Sequence, residues 1–391
     1  MAGAPKRALR GSRASDGGGM AGGIGFRLTV DSEDTGPWRE PVRGGYPDPG
    51  LFGLPGVEQL RAFLSDGAPR PPISHLTGMA PTEVGLGTAT FSMPASRWLL
   101  SPQGLISIGT LAMLADGPLG CAVQSALPAT TGYATSELSL RLLRPARAGG
   151  TLVARGTLVY GGRSVALSSV QIIDERGRLV ADGSSMCFVR PSGGGPPPAM
   201  ATAGAPEAER ASGAGAREDP HERPELGETL GQEVWKRMSG LEVLEAQLGG
   251  DLAYPPLHFL TGLHPVEVAA GEAVFALPCH EWLCSPLGTV EGGAIAMLAD
   301  SALVSAIQTT APAATALAAM DLKVNFLRPV PPDGRELRAH GRVRHAGRTI
   351  TIAEAEVVNA DGKPVALATG SAMILQGRPA TLSDPDGQPG A

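Results

Sequence analysis

The sequence predicts an α+β protein built as a tandem pair, with two copies of one domain in which a long buried helix is wrapped by an antiparallel sheet. Three observations predict it. First, shifting residues 71–145 by 184 lays them on 255–329 without a gap, and a direct count finds 34 identities in those 75 positions. Second, each copy holds one long segment, about 107–126 and 292–309, that is apolar on nearly all faces and therefore has to be buried. Third, each of these segments is followed by three or four alternating stretches separated by glycine-containing breakers, which is the pattern of antiparallel strands.

The elements follow in the same order in both copies, which span 71–190 and 255–376. An amphipathic lead-in helix carries Val57, Leu60, Phe63 and Leu64 in the first copy and runs from Val234 to Leu248 in the second. Strand-like stretches lie near 84–94 and 268–278, ahead of the long helix. After it come stretches at 138–143, 151–159, 165–174 and 181–189, divided by Gly161-Gly162 and Arg176-Gly177, with Asp361-Gly362 as a later counterpart. Flanking segments rich in Gly and Pro show no periodicity. The expected organisation is a disordered segment 1–50, a first domain 51–190, a flexible linker 191–225, a second domain 226–376 and a disordered tail 377–391.

Composition narrows the function. A net charge of −6 offers no global field for nucleic acid. No apolar run has the character of a membrane span, and the basic N-terminus lacks the apolar stretch of a secretory signal. The four cysteines, Cys121, Cys187, Cys279 and Cys284, have no paired spacing, so reduced thiols in a cytoplasmic protein are expected. Cys279, His280 and Cys284 lack a fourth metal ligand, and no metal site is expected. His75, His258 and His264 are not placed alike in the two copies and read as structural or surface residues.

The sharpest chemical signal is an isolated acid. Asp116 is the only acidic or basic residue from Leu105 to Gly132, and Asp300 is the only one from Gly292 to Met320. A carboxyl group in a buried apolar helix is costly unless it is paired, protonated or faces a wet cleft. The bland reading is a carboxylate bonded to a nearby backbone turn or lying at a dimer seam. The second signal is Glu291-Gly292-Gly293 at the start of the second long helix. Glycines there leave amide hydrogens uncovered at the positive end of the helix dipole, which is how a carbonyl-polarising site is made. The first copy has Ile108-Gly109 instead, which covers that backbone. Pro118, two residues after Asp116, is expected to kink its helix.

Taken together, the motifs resemble a known family. The run from Trp282-Leu283 through Ser285-Pro286 to Glu291-Gly292-Gly293 is followed by Met297-Leu298-Ala299-Asp300. Next comes Asp321-Leu322-Lys323-Val324-Asn325-Phe326-Leu327-Arg328-Pro329. This order is similar to that of the PaaI-type hotdog thioesterases, with Glu291 standing where the family usually has His. The resemblance covers both copies. It implies two hotdog domains paired as an intrachain pseudo-dimer, and hydrolysis of acyl-CoA thioesters at sites built across the pair.

The same resemblance assigns residues. One composite site would take Gly292 and Ser285 from the second copy with Asp116 and Thr135 from the first. The other would take Ile108 and Ser101 with Asp300 and Ala319, having lost both the glycine and the strand hydroxyl. One working site and one degenerate site are therefore expected. Gly292 would polarise the thioester carbonyl, and Asp116 would serve as base or nucleophile. Ser285 and Thr135 would orient water and the acyl carbonyl. Arg328, Arg348, Arg144 and Arg163 are candidates for the CoA phosphates. No cofactor is expected beyond CoA as part of the substrate. The expected partners are acyl-CoA and a second copy of the two-domain chain, with neither nucleic acid nor membrane. The rival reading is a non-catalytic acyl-CoA binder or sensor using the same cleft. A hydratase is disfavoured because no His follows either Asp.

Overall fold

A computed structural model of the chain describes residues 36–65, 68–191 and 218–381. They belong to one compact unit, Thr35–Ala391. The disorder expected of 1–35 and of 382–391, and the linker over 192–217, lie outside the described residues.

The first copy begins with α1 (Gly56–Leu64) and a short α2 (Pro72–Thr77). A hairpin of β1 (Ala80–Gly85) and β2 (Thr88–Pro94) leads to the long α3 (Ile108–Ser125). The single stretch read at 84–94 is thus two strands, turned at Leu86-Gly87, where Gly87 takes the φ of +75° that disfavours a side chain. Strands β3 (Thr131–Leu142), β4 (Thr151–Gly161), β5 (Val165–Ile173) and β6 (Leu179–Pro191) complete the copy.

The second copy repeats the plan. It has α5 (Gly240–Gly249), α6 (Pro256–Thr261), β7 (His264–Ala269), β8 (Glu272–Pro278) and the long α7 (Gly292–Gln308). After these come β9 (Thr315–Phe326), β10 (Glu336–Ala346), β11 (Ile350–Val358) and β12 (Pro364–Gln376). Its lead-in is two helices rather than the one read over 234–248. A short α4 (Gln232–Arg237) stops before Ser239, which starts α5 in a capping box with Glu242.

All twelve strands form one antiparallel sheet in the order β1-β2-β4-β5-β6-β3-β9-β12-β11-β10-β8-β7. The copies meet through β3 and β9, which pair from Glu137 with Asn325 to Arg141 with Asp321. Ser139 pairs with Lys323, and 139 + 184 = 323, so each of these residues faces its own repeat equivalent. A pseudo-twofold axis therefore passes between them. Each half-sheet holds its long helix at very close range. A Cβ on Gly156 of β4 would come within 2.2 Å of Pro118 O, and one on Gly341 of β10 within 2.2 Å of Ala302 O. The helix α3 runs on through Pro118 to Ser125.

The two long helices also touch each other near their starts. A Cβ on Gly293 would lie 2.5 Å from Met113 Cα, and one on Gly109 would lie 2.9 Å from Met297 Cα. One buried apolar cluster runs through both copies, with Met113, Leu114, Met297 and Leu298 fully enclosed.

Residues 36–50, read as part of a disordered segment, are folded instead. Pro37–Arg39 forms a turn of 3-10 helix, and Pro220–Glu222 forms its counterpart inside the expected linker. Each turn straps the opposite copy. The ring of Trp38 lies against Gly262, and Trp282 Nε1–H donates to Glu40 O at 3.0 Å. In return His221 lies against Gly78, and Trp98 Nε1–H donates to Arg223 O at 2.8 Å. Where the straps meet, Arg223 Nη1 donates to both carboxylate oxygens of Glu40 at 2.7 and 2.9 Å.

The helix crossing makes a prediction about glycines. Gly293→Ala drives a methyl group into backbone and should cost about 1–3 kcal/mol. Gly292→Ala meets only the side-chain ends Asp116 Oδ2 at 2.9 Å and Phe326 Cζ at 3.4 Å, so it should cost under ~1 kcal/mol. Urea unfolding of the two variants should rank them in that order.

Candidate active site

The crossing of α3 and α7 places a carboxylate of each helix at the start of the other. Gly293 N–H donates to Asp116 Oδ2 at 3.0 Å. Gly109 N–H donates to Asp300 Oδ2 at 2.9 Å. Each helix start has unsatisfied amides and a positive dipole end, so an anion is favoured there. Burial works against the charge and dominates. It pushes Asp116 up from 3.8 to about 6, while the Gly293 and Gly292 amides pull it back. Asp300 is pushed to about 6 by the same cause, opposed by the Gly109 amide and the Ser107 side chain.

The two sites differ in access. Asp116 and Gly292 are both partly exposed. Asp300 is 3 % exposed and Ile108, in the place of Gly292, is fully buried. Nothing at Ile108 presents a free amide to a ligand. Asp116 and Gly292 therefore keep some exposed surface that Asp300 and Ile108 lack.

The surroundings have diverged as well. A bulge in β3 between Thr135 and Glu137 breaks the two-residue alternation. It brings Tyr133 and Thr135 onto the same inward face as the buried Leu138 and Leu140. The Tyr133 hydroxyl sits over Gly120 of α3, where a Cβ would approach it to 2.2 Å. Thr135 pairs with the buried Cys187, and its hydroxyl bonds that thiol. Cys121, one turn after Asp116, completes this wall, and burial with the nearby Glu291 and Asp116 holds its thiol up at about 12. In the second copy the equivalents of Gly120, Cys121, Tyr133, Thr135 and Cys187 are Val304, Ser305, Leu317, Ala319 and Ala372.

Glu291 gains a prominence that the sequence did not give it. It lies at the N-cap of α7, yet its side chain makes no capping bond. It is 8 % exposed, and its Oε2 has no hydrogen-bond partner. Burial first, and the Asp116 carboxylate second, push its pKa well above the usual carboxylate range. Its equivalent Ser107 caps α3 by accepting the Thr110 amide at 3.1 Å. The signal available in the sequence was an acid next to Gly292 in an otherwise apolar setting.

Other candidates are placed with less contact. Ser285 lies in the turn before α7, and its Oγ accepts the Leu287 amide at 3.3 Å. Ser101 holds the equivalent turn of the first copy, with its amide on Leu105 O at 2.8 Å.

The four arginines are all exposed and divide by register. Val189 N–H donates to Ser164 O, and Val189 pairs with Tyr133, so Arg163 belongs to the Asp116 end. Arg328 follows Phe326, whose ring reaches Gly292, so it belongs to the same end. Ile374 N–H donates to Thr349 O, and Ile374 pairs with Leu317, which assigns Arg348 to the Asp300 end. Arg144 falls there too by the repeat. Arg328 now donates to Pro364 O, and Arg144 donates to Leu179 O at 2.6 Å.

Of the remaining histidines, His75 bonds Asp219 at 3.0 Å and His264 bonds Gly262 O at 2.9 Å. His258 is driven down to about 3 by burial.

The raised pKa of Asp116 has a stability consequence. Below about pH 4 both folded and unfolded chains hold its proton, and burial carries no charge penalty. As pH rises through about 6 the folded chain must ionise it in place, so this group lowers stability at neutral pH. Asp116→Asn should therefore be more stable than the parent at pH 8, by about 1–3 kcal/mol, and the gap should close near pH 4. Thermal unfolding at the two pH values measures it.

Comparison with known proteins matches each of the two copies. The thioesterase superfamily matches twice, over residues 103–181 and 287–366, one match in each copy. A Halobacterium salinarum protein named provisionally as an esterase is 35 % identical over 123 residues, which are 29 % of this chain and 79 % of that protein. Among solved structures, an acyl-CoA thioesterase II of Mycobacterium marinum is 12 % identical with a TM-score of 0.46, covering 78 % of this chain and 98 % of its own. The PaaI protein of Escherichia coli is 20 % identical with a TM-score of 0.31, covering 34 % and 92 %. With both repeats matched, and a relative at this identity covered over most of its length, the chain belongs to the thioesterase superfamily.

Proposed function

We propose that the protein is a PaaI-type acyl-CoA thioesterase that works at one composite site, formed by Asp116 of the first copy and Gly292 of the second. The observation that carries this reading is the Asp116 carboxylate held at the start of α7, 3.0 Å from the Gly293 amide, in a residue that keeps some exposed surface. In the twin site the same bond is sealed beneath Ile108.

The roles follow from the geometry. The Gly293 amide holds Asp116 in place. The Gly292 amide, which also faces Asp116, is assigned to polarise the thioester carbonyl when substrate is bound, and losing such a donor typically costs ~10²–10³ in rate. Asp116, ionised above about pH 6, acts as general base on water or as nucleophile. Thr135 lines the acyl side of the cleft, and the Ser285 hydroxyl keeps a proton to offer a water. Arg328 and Arg163, at the open end, are assigned to the CoA phosphates.

Release of free thiol from acyl-CoAs of short, medium, long and aromatic acyl groups tests the activity. Binding without thiol release across the whole panel would leave the non-catalytic binder standing instead.

Two further outcomes are expected. Asp116→Ala should lower kcat by at least ~10²-fold, and Asp300→Ala should leave most of it. The active enzyme should gain rate as pH rises through about 6, because the working form of Asp116 is the carboxylate. The reverse ranking of the two alanine variants would move the live site to Asp300. Secondly, Arg328→Ala and Arg163→Ala should each raise KM for acyl-CoA several-fold with little change in kcat. Arg144→Ala and Arg348→Ala should do neither, and steady-state kinetics on the four variants measures the split.

A further inference from the structure

Glu291 is a buried acid that the fold does not use. It occupies the N-cap of α7 without capping it, whereas Ser107 at the equivalent place caps α3. It is 8 % exposed, and Oε2 is enclosed without a partner, an arrangement that costs stability unless a ligand answers it. The groups facing it are Asp116 and Cys121 of α3, Tyr133 of β3 and Cys284 of the loop before α7. None of these is a cation. Two carboxyl groups, Asp116 and Glu291, thus lie at the two ends of the Gly292 backbone with no cation facing Glu291, an arrangement that favours one negative charge and one proton shared between them.

We propose that Glu291 is the catalytic proton donor to the departing sulfur, acting as the acid partner of Asp116. The proposal rests on the hydrolytic reading above. The Asp116 carboxylate takes a proton from water, and the water oxygen bonds the thioester carbonyl carbon. The carbon–sulfur bond breaks, and the sulfur leaves with the electron pair and takes the Glu291 proton. The proton on Asp116 then passes to Glu291. Thioester and water become carboxylic acid and thiol, and both side chains return to their starting states. The cleft carries a single negative charge at every stage, so no second anion has to be created in a place that already penalises one. Paired carboxyl groups held apart in acidity by their surroundings are a known way to divide acid and base duties.

The test compares the full chain with Glu291→Gln, which keeps the shape and a hydrogen-bond donor but has no proton to give. Two substrates carry the same acyl group, one on CoA and one on an aromatic thiol whose thiolate leaves unaided. The variant should hydrolyse the CoA thioester at least ~10²-fold more slowly and the aromatic thioester at close to the parental rate. It should also lose the alkaline fall in kcat that deprotonation of Glu291 gives the parent. Independently of turnover, the parent should show the infrared carbonyl band of a protonated carboxyl group at pH 7, absent from the variant.

Equal slowing on both substrates would overturn the proposal, because a packing role or a bond to the carbonyl oxygen acts regardless of leaving group. No slowing on either would also overturn it. Should the variant not fold, the parent decides: a protonated-carboxyl band must persist above the titration of Asp116 and Asp300 near pH 6, and its absence at pH 7 refutes the proposal. A parent that hydrolyses none of the thioesters removes the hydrolytic reading and this inference with it. A parent active alongside an unimpaired variant removes this inference alone.

Discussion

The reciprocal bonds between each long-helix carboxylate and the opposite helix start are the contact on which the rest of the molecule depends. Asp116 accepts the Gly293 amide and Asp300 accepts the Gly109 amide, across a crossing so close that only glycine fits at 109 and 293. Each bond satisfies an amide that the helix cannot satisfy itself. Each also buries a charge, which is why both carboxyl groups sit near 6 rather than below 4. The same device explains why Asp300 persists in a site that is closed. Replacing it would leave a buried amide at the start of α3 without a partner, so its retention follows from structure whatever the chemistry of that side.

A tandem pair in one chain frees the two sites to diverge. In a symmetric dimer of identical chains, every change at one site is repeated at the other. Here the wall beside Asp116 keeps Tyr133, Thr135, Cys121 and Cys187, while the wall beside Asp300 has become Leu317, Ala319, Ser305 and Ala372. At the helix start the divergence runs the same way. Ile108 is fully buried, and Gly292 keeps some exposed surface. Gly120 and Val304 extend the contrast, since only glycine leaves room for the Tyr133 hydroxyl over the helix. The wall beside Asp300 has thus lost the hydroxyls of Tyr133 and Thr135, which the wall beside Asp116 keeps.

Much of this was legible in the sequence because it rests on local pattern. The 184-residue offset, the two apolar helices and their lone acids are visible without coordinates, and so is the contrast between Gly292 and Ile108. What was hidden depends on long-range contact. The straps around Trp38 and His221 are polar and rich in Gly and Pro, and their order comes from tryptophans in the opposite copy, so composition alone read them as chain without structure. The β3 bulge was hidden for another reason. Alternation counted back from Leu138 and Leu140 puts Thr135 on the outer face, and one extra residue reverses that. Only the resemblance pointed to Thr135. The split of the lead-in at Ser239 is a capping signal, Ser-x-x-Glu, that was present in the sequence and passed over. Register also separated the four arginines into two pairs, which residue type alone could not do.

Glu291 shows how the fold and the chemistry meet. A carboxylate at a helix N-cap is ordinarily welcome, since it binds the free amides and opposes the dipole. Here Asp116 reaches that helix start from the other copy, holding the Gly293 amide and facing the Gly292 amide. A second negative charge would meet the first across a few ångströms of enclosed space, with no cation among the groups that face it. Ionisation of Glu291 is therefore opposed twice, by burial and by Asp116, and neither opposition can be relieved without moving α3 relative to α7. That movement is what the glycine crossing, the shared sheet and the crossed straps prevent. The contacts that join the two copies thus also hold two carboxyl groups close together in an enclosed place, where a charge on Asp116 opposes one on Glu291.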